Sequence, residues 1–228
     1  TSGLFIGGWI QFHFMPKVDA DNAGADTAEF VELLGPPNVD LSGTVIVQYN
    51  GSNDASATWG SSALPALDLT GLRTDASGFF IAGNAATSPD LTTPDSSMQN
   101  GADAIAFYFG GADDFPANTP VTATALIDAL VYDTSDPDDA ELLAVLTPGQ
   151  PQQSEDTFDS NQRCGGGPLD TSAYLPNPPT LRAINDCSVC GDGIIEGGED
   201  CDGGTCCTTR CAFAAASTTC RTAASACD

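Results

Sequence analysis

Asp192, Glu196, Glu199 and Asp202 supply carboxylates within eleven residues near the end of the chain. Glycines at 191, 193, 197 and 198 lie between them, and Cys190 and Cys201 bracket most of the stretch. Hard oxygen donors on a backbone free to wrap tightly are what calcium prefers, with six to eight ligands at flexible angles. Magnesium takes fewer protein ligands in stricter geometry. An acidic turn can also simply be solvated. Here two cysteines tie the carboxylates into one loop, where their repulsion without a cation is costly. The spacing therefore predicts a calcium site.

The cysteines that hold this loop are unevenly placed. Residues 1–186 contain one, Cys164. Residues 187–228 contain eight: Cys187, Cys190, Cys201, Cys206, Cys207, Cys211, Cys220 and Cys227. That shift predicts a domain of residues 1–186 followed by a small module of residues 187–228. A segment so short and poor in large apolar side chains needs disulfides or metal to fold. Zinc is disfavoured, because the tail has no histidine and lacks two separated C-x-x-C knuckles. Disulfides imply an oxidising, extracellular or cell-surface location. The sequon Asn50-Gly51-Ser52 agrees with that location and makes Asn50 a candidate glycosylation site.

Residues 1–186 read as mostly β. Leu4–Met15, Glu29–Leu34, Thr44–Tyr49, Gly78–Ala82, Ala104–Phe109 and Leu126–Tyr132 are strand-like runs separated by Gly, Pro and Asn turn signals. Glu29–Leu33 alternates charged and apolar, which predicts a half-buried strand. Ala140–Leu146 is the one short helix expected. Asn50–Ser77 and Thr134–Gln162 are polar enough to read as surface excursions. Short strands so spaced point to a sandwich or barrel.

Charge and motif content exclude other roles. Thirty-one acids against six bases leave a net charge of −25, which repels phosphate backbones and anionic membranes. No apolar run is long enough to span a bilayer. Thr1–Ile10 is apolar but short and lacks a basic leader, so it reads as a first strand rather than a signal peptide. The single histidine, His13, lies in an alternating apolar run and reads as a strand residue. Gly-x-Ser-x-Gly, His-Glu-x-x-His and phosphate-binding glycine loops are absent. Asp113-Asp114 and Asp138-Asp139 read as solvated loop acids. No enzymatic activity is expected.

Two stretches resemble known families. Glu29-Phe30-Val31-Glu32-Leu33, Val39-Asp40-Leu41-Ser42-Gly43 and Gly78-Phe79-Phe80-Ile81-Ala82-Gly83-Asn84 resemble the lamin-tail domain. Asn100–Phe107, Leu126–Tyr132, Asp159–Arg163 and Asn185-Asp186-Cys187 continue the resemblance in order over residues 9–187. It is nearest the variety found in secreted bacterial nucleases and cell-surface proteins. It implies an immunoglobulin-like β-sandwich that binds or scaffolds. Cys164 and Cys187 bracket the final segment and are expected to pair.

The acidic stretch from Val189 to Asp202 resembles the opening of disintegrin domains in the metalloprotease–disintegrin family. There the pattern is Val-Cys-Gly-Asn-Gly, two apolar residues, Glu, two residues, Glu, one residue, Cys-Asp; Asp192 replaces the usual Asn. The resemblance implies calcium ligation by the carbonyls of Val189 and Ile194 and the side chains of Asp192, Glu196, Glu199 and Asp202. Cys-rich repeats of bacterial surface proteins begin similarly. The intervals between Cys211, Cys220 and Cys227 also match the disintegrin pattern, though the family's middle portion is missing and its connectivity does not transfer. Arg221–Ala226 would be the family's recognition loop; it lacks Arg-Gly-Asp, so integrin binding is not expected. Nine cysteines cannot all pair within one chain. The odd one implies a longer protein or a cross-link between subunits through Cys227.

The expected role is an extracellular structural or adhesive protein, such as a subunit of a surface fibre, filament or coat, with protein partners or self-association. The alternatives are a non-catalytic binding module of a secreted nuclease or protease, and a receptor-type recognition protein.

Overall fold

The computed structural model describes residues 13–59, 66–154, 156–195, 199–216 and 218. The chain divides into two compact units, Thr1–Asn185 and Asp186–Asp228. The larger is built from strands β1 (His13–Asp19), β2 (Phe30–Leu34), β3 (Thr44–Asn50), β4 (Ala55–Ser56), β5 (Ala66–Asp68), β6 (Phe79–Gly83), β7 (Leu91–Thr92), β8 (Asp103–Phe109), β9 (Leu126–Asp133), β10 (Gln153–Ser154), β11 (Ser160–Arg163) and β12 (Tyr174–Asn177). One helix, α1 (Ala140–Leu146), follows β9. Predicted strands at β2, β3, β6, β8 and β9 therefore form within a residue or two of the expected bounds. The expected Leu4–Met15 strand is seen from His13 onward and continues to Asp19; residues 1–12 lie outside the described part.

The strands make two sheets. The first runs β12-β11-β1-β2-β6-β7; the second runs β10-β9-β8-β3-β4, with β5 also pairing β3. All pairs are antiparallel except β6–β7 and β9–β10. One buried apolar cluster joins side chains of both sheets: Val18, Val31, Leu33 and Phe80 from the first, Ile46, Ile105, Phe107 and Leu130 from the second. The helix α1 is N-capped by Asp139, whose carboxylate accepts the amides of Glu141 and Leu142. Asp114 similarly accepts the Gly111 amide. Asp114 and Asp139, two of the four aspartates read as solvated loop acids, thus hold local turns.

The second sheet is buried on both faces, which the sequence pattern did not suggest. Its outer face carries Val45, Val47, Tyr49, Tyr108 and Val131 with small alanines at 104, 106 and 129, covered by Leu142 and Leu146 of α1 and by Phe115. The expected surface excursions are partly buried. Asn50–Ser77 contributes β4 and β5, adds Ala66 to this outer cluster, and sends Trp59, Leu67 and Leu69 into the core shared by the two sheets. Thr134–Gln162 contributes α1, β10 and part of β11. A few apolar anchors in a polar stretch suffice to dock it, and composition averages them away.

The alternation in Glu29–Leu33 was expected to put charges in solvent. Instead Glu29 and Glu32 are both fully buried. Lys17, opposite Glu32 in the β1–β2 ladder, donates to Glu32 Oε1 at 2.5 Å and to the Ala183 carbonyl at 2.9 Å. The Arg182 amide donates to Glu32 Oε2 at 2.6 Å. Residues 182 and 183 thus close over the polar face of β2, and each buried charge has a partner, as burial requires. Glu29 anchors the segment after β7: it accepts the Ser97 amide at 2.7 Å, the Met98 amide at 3.0 Å and an Asn84 N–H at 3.3 Å. Gly78 shows why a turn needs glycine. Its φ is +94°, and a Cβ there would lie 2.1 Å from the Gly35 carbonyl oxygen.

Candidate metal centre

The described residues of the second unit have almost no regular structure, so disulfides and turns do the positioning. Cys190 pairs with Cys211 and Cys201 with Cys207. Cys164, Cys187 and Cys206 are also disulfide-bonded. Cys220 and Cys227 lie outside the described residues. Closing a loop across 21 residues, as Cys190–Cys211 does, removes roughly 3 kcal/mol of unfolded-chain entropy in the loop-closure picture. The Cys211 carbonyl accepts the amides of Asp200 and Cys201, at 2.8 and 3.1 Å. Cys207 and Phe213 form an isolated antiparallel bridge, with the Ala214 amide donating to the Cys206 carbonyl. These contacts press the Glu199–Asp202 stretch against the Cys206–Ala214 turn.

The same packing brings the start and end of the acidic stretch together. The Gly191 amide donates to Asp202 Oδ1. A Cβ on Gly203 would sit 3.5 Å from the Gly191 Cα, so the two backbones nearly touch. Gly191 and Gly193 both have positive φ, +93° and +97°, and bend the chain on either side of Asp192. The Asp192 amide donates to the Val189 carbonyl at 3.3 Å, and Asp192 Oδ1 accepts the Ile194 amide at 2.8 Å.

Of the four predicted carboxylates, Glu199 and Asp202 converge. Their oxygens and the Cys211 sulfur lie within 4.8 Å of one another. Oxygens sharing one calcium ion at ~2.4 Å lie at most ~4.8 Å apart, so this spacing fits two ligands of one shell. The Cys211 sulfur is bonded to Cys190 and is no thiolate, so it contributes packing and no charge. A second group, Cys190, Cys207 and Cys211, has the proximity of a zinc set. All three sulfurs are in disulfides, and zinc needs thiolates. The donor set that remains is oxygen, which fits a hard cation.

Asp192 lies at the turn beside this pair, with its Oδ1 engaged by the Ile194 amide. Val189 and Ile194 are described and have exposed side chains. Glu196 lies outside the described residues. Asn50 ends β3, and its side chain accepts the Ser52 amide at 2.7 Å in a local turn. His13 opens β1 opposite Leu34.

Several consequential groups were missed from the sequence. Lys17, Asp128 and Arg163 are buried charges that bind distant segments of the larger unit. The available signal was a lone charge inside an otherwise apolar run, as with Lys17 in Phe14–Val18 and Asp128 in Leu126–Val131. No helix among the described residues is long and apolar enough to cross a membrane. Compared with family models, curated proteins and solved structures, the chain matches none.

Proposed function

We infer that the chain is an extracellular structural or adhesive protein. In this reading the two sheets form an immunoglobulin-like sandwich of the lamin-tail kind. The cysteine-rich unit is a disintegrin-like module stiffened by calcium. The observation that carries the calcium assignment is the convergence of Glu199 and Asp202 inside a loop closed by Cys190–Cys211 and Cys201–Cys207. The disulfides support an oxidising compartment. The strongly acidic composition supports solubility and works against polyanion binding. A small module without an apolar core gains rigidity from an ion that binds only the folded form.

Calcium is therefore expected to protect the tail. In limited proteolysis at millimolar calcium, cleavage within residues 187–216 should slow at least tenfold relative to chelated protein. Glu199→Gln combined with Asp202→Asn should abolish that difference, while cleavage of the larger unit stays unchanged. Equal tail cleavage with and without chelator would sink the calcium assignment. The structural role is checked separately by light scattering and negative-stain imaging. Ordered polymers or stable oligomers support it, and a strictly monomeric particle at all concentrations counts against it.

A further inference from the structure

Lys17 is the chain's only lysine, and its side chain is fully buried. It sits on β1 directly opposite Glu32 of β2, whose side chain is fully buried too. The Lys17 Nζ lies 2.5 Å from Glu32 Oε1, so the carboxyl carbon Cδ is no more than ~3.7 Å from the nitrogen, given a C–O bond of ~1.2 Å. That limit borders the separation of ~3–3.5 Å from which held groups react.

Two backbone groups of one segment hold the pair. The Arg182 amide donates to Glu32 Oε2 at 2.6 Å, and the Ala183 carbonyl accepts from Lys17 Nζ at 2.9 Å. An N–H aimed at a carboxyl oxygen stabilises the negative charge that this oxygen gains when its carbon is attacked. The Phe79 ring, 5.6 Å from Nζ, bounds the site with an apolar face. Burial acts on both partners in one sense. It pushes Lys17 below its ordinary value and Glu32 above its own, against their mutual attraction. Both shifts favour a neutral amine beside a neutral acid, the form in which the nitrogen has a lone pair to attack with.

We propose that Lys17 and Glu32 condense to an isopeptide bond that ties β1 to β2. A proton passes from the ammonium to the carboxylate across the existing hydrogen bond. The amine nitrogen attacks Cδ, and the Nζ–Cδ bond forms. The Cδ–Oε1 bond then breaks, and Oε1 leaves as water with two of the three ammonium protons. Nothing is oxidised or reduced. Oε2 stays as the amide carbonyl oxygen on the Arg182 N–H, and the remaining N–H stays on the Ala183 carbonyl. The product keeps both backbone hydrogen bonds and removes two buried charges, whose desolvation is costly.

Gln162 flanks Lys17 on the other side, opposite it in the β1–β11 ladder. Its Nε2 donates to the carbonyls of Asn177 and Pro178, at 3.0 and 2.8 Å, so that amide is engaged elsewhere. Acylation by Gln162 would release ammonia instead of water, which makes the two acceptors distinguishable by mass.

The test is mass spectrometry of the full chain after folding, with every disulfide reduced before measurement. Most molecules should be lighter than the sequence by one water, about 18 Da. Fragmentation should place the loss on a branched peptide joining Lys17 to Glu32. An amine-reactive reagent applied to the unfolded chain should leave Lys17 unmodified. Lys17→Arg should restore the full sequence mass, and Lys17→Met with Glu32→Leu serves the same purpose if the arginine variant fails to fold. Full sequence mass in the folded wild-type chain would overturn the proposal. So would a loss of ammonia joining Lys17 to Gln162, or a loss of water placed at any other residue. The bond requires neither calcium nor the role proposed above, so its failure leaves both untouched.

Discussion

Replacing Asp128 with alanine is expected to destabilise the larger unit by about 3–5 kcal/mol, the range for breaking a buried charge pair from one side. Asp128 lies on β9 and is fully buried. Arg163 Nη2 reaches both of its oxygens, at 2.8 and 2.7 Å. The amides of Met15 and Leu169 donate to it as well, at 3.1 and 2.8 Å. One carboxylate therefore joins β1, β9, β11 and the segment before β12. Arg163 in turn donates to the carbonyls of Gly167 and Asp170 and lies over the Tyr174 ring, 4.7 Å from its centroid. Tyr174 donates its hydroxyl hydrogen to the Met15 carbonyl and so closes the network.

Alanine at 128 would leave the Arg163 guanidinium, whose side chain is 7% exposed, without its counter-charge, and the buried Met15 amide and half-buried Leu169 amide without this acceptor. An unpaired buried charge costs far more than the intact pair contributes. The double variant Asp128→Leu with Arg163→Met should accordingly lose less than the two single changes added together. Urea denaturation followed by circular dichroism measures all of them. A loss below 1 kcal/mol for the alanine variant would show that the network does not hold the sheets.

The larger unit should also grow less stable as pH rises from 5 to 8, opposite to the usual behaviour of salt-bridged acids. Burial pushes Asp19 up to about 8, with Asp21, Glu29 and Asp26 adding repulsion. Burial likewise pushes Glu29 up to about 7, against hydrogen bonds from Ser97, Met98 and Asn84 that favour its charged form. Both values exceed those of the unfolded chain, ordinarily near 3.8 and 4.5. Between the unfolded and folded values the native state binds more protons, so the slope of stability against pH is negative. Each group contributes about 1.4 kcal/mol per pH unit inside its own window. That window runs from about 4.5 to 7 for Glu29 and from about 4 to 8 for Asp19.

Urea midpoints measured at half-unit intervals should fall by the equivalent of roughly 2–3 kcal/mol per unit between pH 5 and 7, with both groups contributing. Asp19→Asn should remove the part that persists from pH 7 to 8. Glu29→Gln should remove a share ending near pH 7. A flat or rising profile would mean that both carboxylates stay charged in the folded protein.

Much of the architecture was legible because it is written locally. In β3 and β8 β-branched and aromatic residues dominate, with Asn-Gly or Gly-Gly turns beside them, and β9 is a mostly apolar run; those strands appear where the runs are. Ala140–Leu146 forms the expected helix because Asp139 caps it and Leu142 and Leu146 share one buried face, four residues apart. The misreadings share one cause. Glu32 and Glu29 look solvent-facing because alternation reports only that a strand has two different faces. It does not report that Lys17, Arg182 and Ala183 close over Glu32, or that Asn84, Ser97 and Met98 close over Glu29. Trp59 and Leu69 are similarly hidden in a polar stretch, and their burial depends on what lies across from them.

The sequence by itself determined the division of the chain, the mostly β character of the first part, and the oxygen-rich chemistry of the tail. These follow from composition and short-range spacing, which every copy of the chain carries whether folded or not. Only the tertiary structure decided that Glu199 and Asp202 converge and that the nearby sulfurs are paired as Cys190–Cys211 and Cys201–Cys207. It also decided that Lys17, Asp128 and Arg163 are interior charges, and that the core is open beside Leu33 and Phe107. The physical reason is range. Met15 and Asp128 are 113 positions apart when they meet, and Arg182 reaches back 150 positions to Glu32. Pairings at such separations arise from how whole sheets and segments close on one another, and no local window contains both partners.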